Sequence, residues 1–126
     1  MPLNEAFGWT WVLAGFLSGL LLGLRFHEEG WLGGYTSLQR RLVRLGHISC
    51  VGLGFLNILF ALCAPHLRLG VPWLSVASWC VLVGGITMPV CCGIMAWRPA
   101  LHHIFAVPVV ALVLGVGVIV AGALRP

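Results

Sequence analysis

The chain is organised by four long apolar stretches with short polar breaks between them. They run over residues 9–24, 45–64, 73–97 and 104–124. Each is close to the roughly 20 residues that a helix needs to cross a bilayer. The apolar positions are continuous and do not alternate, so the pattern predicts spanning helices and not the strands of a barrel. The breaks have identifiable causes. Arg25-Phe26-His27-Glu28-Glu29-Gly30 closes the first stretch with ionisable groups, and Pro65-His66 closes the second. Arg98-Pro99 closes the third, after which Pro99 suits the first turn of the fourth, where a missing N–H costs nothing.

The segment before the second stretch also reads as helical. Thr36-Ser37-Leu38-Gln39 fits a capping box. Leu38, Leu42 and Leu45 then recur on one face, with Arg40, Arg41 and Arg44 on others. A helix starting near Ser37 and running through residues 37–44 in the membrane interface is expected. The first stretch is expected to remain as an anchor. Met1–Phe7 carries Glu5 and no basic residue, and no small-x-small cleavage pattern follows the apolar run.

Composition agrees with the pattern. Of the 126 residues, 60% are hydrophobic and 8% charged, with a mean hydropathy of +1.05. Soluble domains carry about 25% charged residues, so this chain could not cover a water-facing surface. Four spans use most of its length and leave no room for a soluble catalytic domain. The expected fold is an all-α, four-helix transmembrane bundle with short loops. Nucleic-acid binding is a poor fit despite the pI near 9.1, and no nucleotide loop, nucleophile–base pair or carboxylate pair appears.

The charge distribution selects an orientation. All seven basic residues are arginines; Arg25, Arg40, Arg41, Arg44 and Arg98 lie at loops one and three, Arg68 and Arg125 on the opposite side. The positive-inside rule then puts both termini on the outer side, most simply of a bacterial cytoplasmic membrane. The arginines serve first as topological anchors, and secondarily as contacts for anionic lipid headgroups. Glu28 and Glu29 beside His27 read as a solvated loop.

Packing signals are strong. Gly15, Gly19 and Gly23 are spaced by four, with Ala14 and Ser18 beside them, and the fourth stretch carries Ala111, Gly115, Gly117, Ala121 and Gly122. Such faces let helices approach closely. Whether they meet a helix of this chain or of a partner subunit is open. Asn57, in the middle of the second stretch, must face another helix, because its amide needs a hydrogen-bond partner.

Candidate chemistry gathers at one end. His47 and Cys50 sit just inside the loop-one end of the second stretch. Cys91, Cys92 and Met95 sit at the same level in the third, and His102 and His103 at the start of the fourth. On two different helices, His47 and His102 or His103 are candidate axial ligands of a haem b, with Arg40, Arg44 or Arg98 for its propionates. In layout, though not in motif, this resembles small bis-histidine membrane cytochromes. Met88, Cys91, Cys92 and Met95 follow i, i+3, i+4, i+7 spacing and, with Cys50, form a candidate Cu(I) site, although Pro89 interrupts the run and such residues also pack as plain apolar groups. Size and helix count resemble the small multidrug resistance exporters. That family depends on a glutamate within its first helix, whereas here Glu5 precedes Trp9 and Glu28 and Glu29 follow Arg25. The leading expectation is a small, non-catalytic membrane subunit of a larger complex of respiratory or electron-transfer type, acting through helix packing and binding no cofactor. A haem b carrier and a copper handler are the alternatives.

Overall fold

The computed structural model describes residues 1–125. Four helices dominate it: α1 (Pro2–Gly23), α2 (Leu38–Cys63), α3 (Val71–Trp97) and α4 (Ala106–Ala123). Short 3-10 turns follow α1, α2 and α3 at Trp31–Gly33, Ala64–His66 and Pro99–Phe105. No strand occurs among the described residues. Each of the four helical segments is long and apolar enough to cross a membrane. Consecutive helices run antiparallel, so both termini and the α2–α3 loop share one end, and the α1–α2 and α3–α4 connections share the other.

The helices pack in chain order, α1 on α2, α2 on α3 and α3 on α4, leaving α1 and α4 as opposite flanks. There is accordingly no single core enclosed by all four. Phe60, Ala64 and Ala77 form a buried cluster between α2 and α3, against which Leu67, Leu74, Val118 and Ile119 pack.

Glycine sets the spacing of α1 and α2. A methyl group added to Gly8 would lie 2.6 Å from the Gly54 carbonyl oxygen, and one on Gly54 would lie 2.8 Å from the Gly8 oxygen. The two backbones therefore touch directly, as small-residue faces allow in membranes. Gly15 faces Val51 and Gly19 faces the His47 ring. These two members of the glycine stripe thus meet a helix of the same chain. Gly23 stands in open space.

Polar groups tie the three inner contacts together. Asn4, Asn57 and Ser78 are buried. Asn4 Nδ2 donates to Asn57 Oδ1 at 3.0 Å, Ser78 Oγ donates to Asn4 Oδ1 at 2.7 Å, and Asn57 Nδ2 donates to the Leu53 carbonyl at 2.9 Å. One network thereby joins α1, α2 and α3. A second link exploits a proline. Pro89 lies inside α3 and has no N–H to give the carbonyl of Gly85, four residues back. Trp11 Nε1 from α1 donates to that carbonyl at 2.9 Å, and Phe7 stacks on Trp11 with ring centroids 4.8 Å apart.

Helix α1 begins at Pro2, seven residues ahead of the apolar stretch. Glu5, read from the sequence as lying before the first span, is an exposed residue of the first turn of α1. The start of α2 is capped by Ser37, whose Oγ accepts the Arg40 N–H at 3.1 Å.

The α1–α2 loop is built around Arg40, which is 0% exposed. Its guanidinium lies 3.8 Å from the centre of the Tyr35 ring, 5.4 Å from that of Trp31 and 5.5 Å from that of Phe26. It donates to the carbonyls of Phe26, Glu28 and Glu29 at 3.1–3.3 Å. The loop can wrap this closely because Gly33 and Gly34 take φ of 80° and 90°, which costs glycine no steric penalty. Leu32 shares that region with φ 53°, a conformation that a side chain disfavours. Its carbonyl is held by the Ser37 hydroxyl.

Candidate functional site

The sequence-predicted residues fall into three separate places. His47 lies on α2 and faces α1. Its Nδ1 is 3.2 Å from Ser18 Oγ, and its ring fills the space left by Gly19, where a methyl group would come within 2.6 Å of Cε1. His102 and His103 are exposed on the 3-10 turn after α3. Their rings are 6.1 Å apart, and the turn packs on α3 and α4. His47 and this histidine pair are thus assigned to different helix seams and do not face one another across a shared core.

The sulfur residues also diverge. Cys91 is buried and its Sγ donates to the Ile104 carbonyl at 3.5 Å, toward the start of α4. Cys92 is buried on the other side, where a methyl group on Gly46 of α2 would lie 3.4 Å from its Cβ. Met88 and Met95 are half-buried. Among the described residues, no group of three or more His, Cys, Asp or Glu side chains is placed to hold a metal ion. Of the arginines, Arg40 is enclosed by the loop with its guanidinium given to three carbonyls, while Arg44 and Arg98 are exposed.

What remains as a site is a cleft of about 330 Å³ where α1, α2 and α3 meet near the loop-one end. Leucine, valine, glycine and proline form most of its wall. Its polar members are Ser18, His47 and Cys50, with Trp97 beside them. His47 also lines another cavity of about 410 Å³, with Phe16, Ile48, Val51 and Gly52.

Ser18 Oγ lies within hydrogen-bond distance of two groups, the Gly15 carbonyl at 2.8 Å and His47 Nδ1, and the direction of the bond to His47 is set by the imidazole tautomer.

Sequence reasoning singled out His47 but not its partner. Ser18 was visible only as a small residue beside the glycine stripe. Its role follows once Gly15 and Gly19 are known to face Val51 and His47, since that register sets Ser18 opposite the imidazole. Comparison of the chain with protein-family models, with curated proteins and with solved structures finds no match.

Proposed function

We propose that this chain is a small multi-pass subunit of a larger membrane complex of the respiratory or electron-transfer kind, acting mainly through helix packing. The observation that carries the reading is the open flank of α4. A second groove of about 330 Å³ runs along it between Trp73 of α3 and Val113, Gly117 and Ala121 of α4. Gly117 stands there with nothing within 4 Å of where a side chain would start. A small residue on an uncovered helix face gives a partner helix room for close backbone approach. The inner members Gly115 and Gly122 of the same helix are already used, against Cys80 and Val81 and against Leu69.

The proposed setting is a bacterial cytoplasmic membrane with both termini outside, following the arginine asymmetry. The electron-transfer context rests on the histidine and sulfur residues near the loop-one end. Gentle extraction of the native protein should yield an assembly much larger than one chain, and Gly117→Leu should release the chain from it. Recovery of the wild type only as a stable, functional monomer would overturn the proposal.

One observation favours a second reading, haem b on His47. Its Nδ1 is hydrogen-bonded to Ser18 Oγ, the kind of outer contact that orients a histidine as an axial ligand. Protein from haem-replete cells should then show a reduced-minus-oxidised α-band that His47→Ala abolishes. A colourless preparation rejects this reading.

A further inference from the structure

We infer that the α4 groove binds one anionic phospholipid, with its phosphate on Arg68 and Arg125 and an acyl chain against Leu69, Trp73 and Ala121. The site lies at the end of the bundle shared by the termini and the α2–α3 loop. It does not rest on the partner helix proposed above, since Gly117 lies roughly 12 Å deeper along α4 and the arginines are outside that contact.

Two like charges are held side by side at this end. Arg68 Nη1 donates to the Arg125 carbonyl and Arg125 Nη1 to the Arg68 carbonyl, each at 3.4 Å. These bonds bring the residues together but neutralise neither charge. Among the described residues no carboxylate pairs with either guanidinium; the ion pair present joins Arg25 to Glu28 at the other end. Glu5, the acidic residue at this end, belongs to α1 on the opposite flank. Topology gives the two arginines no role either, because the positive-inside rule is served by those at loops one and three. Most N–H donors of both forks remain unused, and phosphate oxygens match such forks. The groove supplies the other half of the ligand. Arg125 lines it at this end, and Leu69, Trp73 and Ala121 continue it as mostly apolar surface. Tryptophan at headgroup depth is typical of membrane interfaces. A free phosphate would satisfy the arginines and leave the apolar wall uncovered, whereas a lipid covers both. A choline headgroup brings its own cation, so two unpaired guanidiniums favour a headgroup of net negative charge.

The test uses the full chain in phosphatidylcholine nanodiscs. These are titrated with phosphatidylglycerol brominated along its acyl chains, or with phosphatidylcholine brominated in the same way. Tryptophan quenching reports occupancy, and comparison with Trp73→Phe isolates the share that comes from the groove. Half-maximal quenching of that share should need about twentyfold less of the anionic lipid, with Arg68→Gln and Arg125→Gln each removing about fivefold, the weight of one arginine near an anionic surface. The double variant should abolish the preference. Ala121→Leu fills the groove from an exposed position, so more of either lipid should be needed while the thermal melt is unchanged. Arg41→Gln, exposed at the opposite end, should change nothing. Equal quenching by the two lipids, or a preference that survives the double variant, overturns the inference. So does an equal loss in Arg41→Gln, which marks general attraction to a basic protein, or unchanged quenching in Ala121→Leu, which takes the acyl chain out of the groove. Displacement of the lipid by soluble glycerol phosphate at matched concentration overturns it too, since the site would then bind the anion alone. Release of the chain from its assembly by Gly117→Leu bears only on the partner helix, so the two proposals fail separately.

Discussion

The bond from Trp11 to Gly85 exists because Pro89 withholds a backbone proton, and that dependence can be measured. In an uninterrupted helix the Gly85 carbonyl would accept from residue 89. Here it accepts from the Trp11 indole at 2.9 Å. Trp11→Phe keeps an aromatic ring beside Phe7 but removes the donor. Stranding a buried carbonyl costs about 1–3 kcal/mol, and within hydrocarbon no water relieves it. The smaller ring adds a packing loss of order 1 kcal/mol. In a Pro89→Ala background the restored N–H takes the carbonyl back into the helix ladder, so Trp11→Phe should then cost only the packing part. The coupling is expected at about 1–3 kcal/mol, read from reversible unfolding of the four variants in mixed micelles followed by circular dichroism. Trp11→Phe costing the same in both backgrounds, within the roughly 0.3–0.5 kcal/mol at which independent sites add, would refute the reasoning.

Other contacts make predictions of contrasting sign. Gly8→Ala and Gly54→Ala should each destabilise by about 1–3 kcal/mol, as overpacking against backbone does, whereas Gly52→Ala, with open space around it, should stabilise α2 by about 0.5–1 kcal/mol; a micelle unfolding series separates the two groups. For Asn4→Ala and Asn57→Ala, the double variant should cost about 0.6–1.7 kcal/mol less than the sum of the singles, the range of a membrane interhelical hydrogen bond, and strict additivity would remove the Asn4–Asn57 bond from the account. Arg40→Lys keeps the charge but loses the planar fork that reaches the carbonyls of Phe26, Glu28 and Glu29, so limited proteolysis within residues 25–37 should accelerate. Reporter fusions at the C-terminus should be active only on the outer side; a cytoplasmic signal reverses the orientation drawn from the arginines.

How much of this was legible beforehand depended on the physical signal each feature carries. Spans are written in continuous hydropathy, and every helix was visible, because exclusion from water acts on each residue independently of its partners. The end of α1 was not, since Asn4 and Glu5 break the apolar run while Asn4 is in fact buried against Asn57 and Ser78. A polar residue near a helix end gives no sign of whether it faces water or another amide. Asn57 was placed correctly against another helix because its depth left no alternative. Arg40 illustrates the opposite case. Its charge read first as a topological anchor and then as a contact for propionates or lipid, yet the left-handed Gly33-Gly34 turn folds Tyr35 and Trp31 over it, and a guanidinium already holding three carbonyls has little left to offer a ligand. The same reasoning separates His47 from His102 and His103. All three lie at similar depth, which hydropathy can reveal, but they face different seams, which only the order of helix packing decides. The glycines that bring α1 against α2 set His47 opposite Ser18. The candidate site is therefore a product of the packing stripe, and the residues first read as mere spacers determine which histidine lines the cleft.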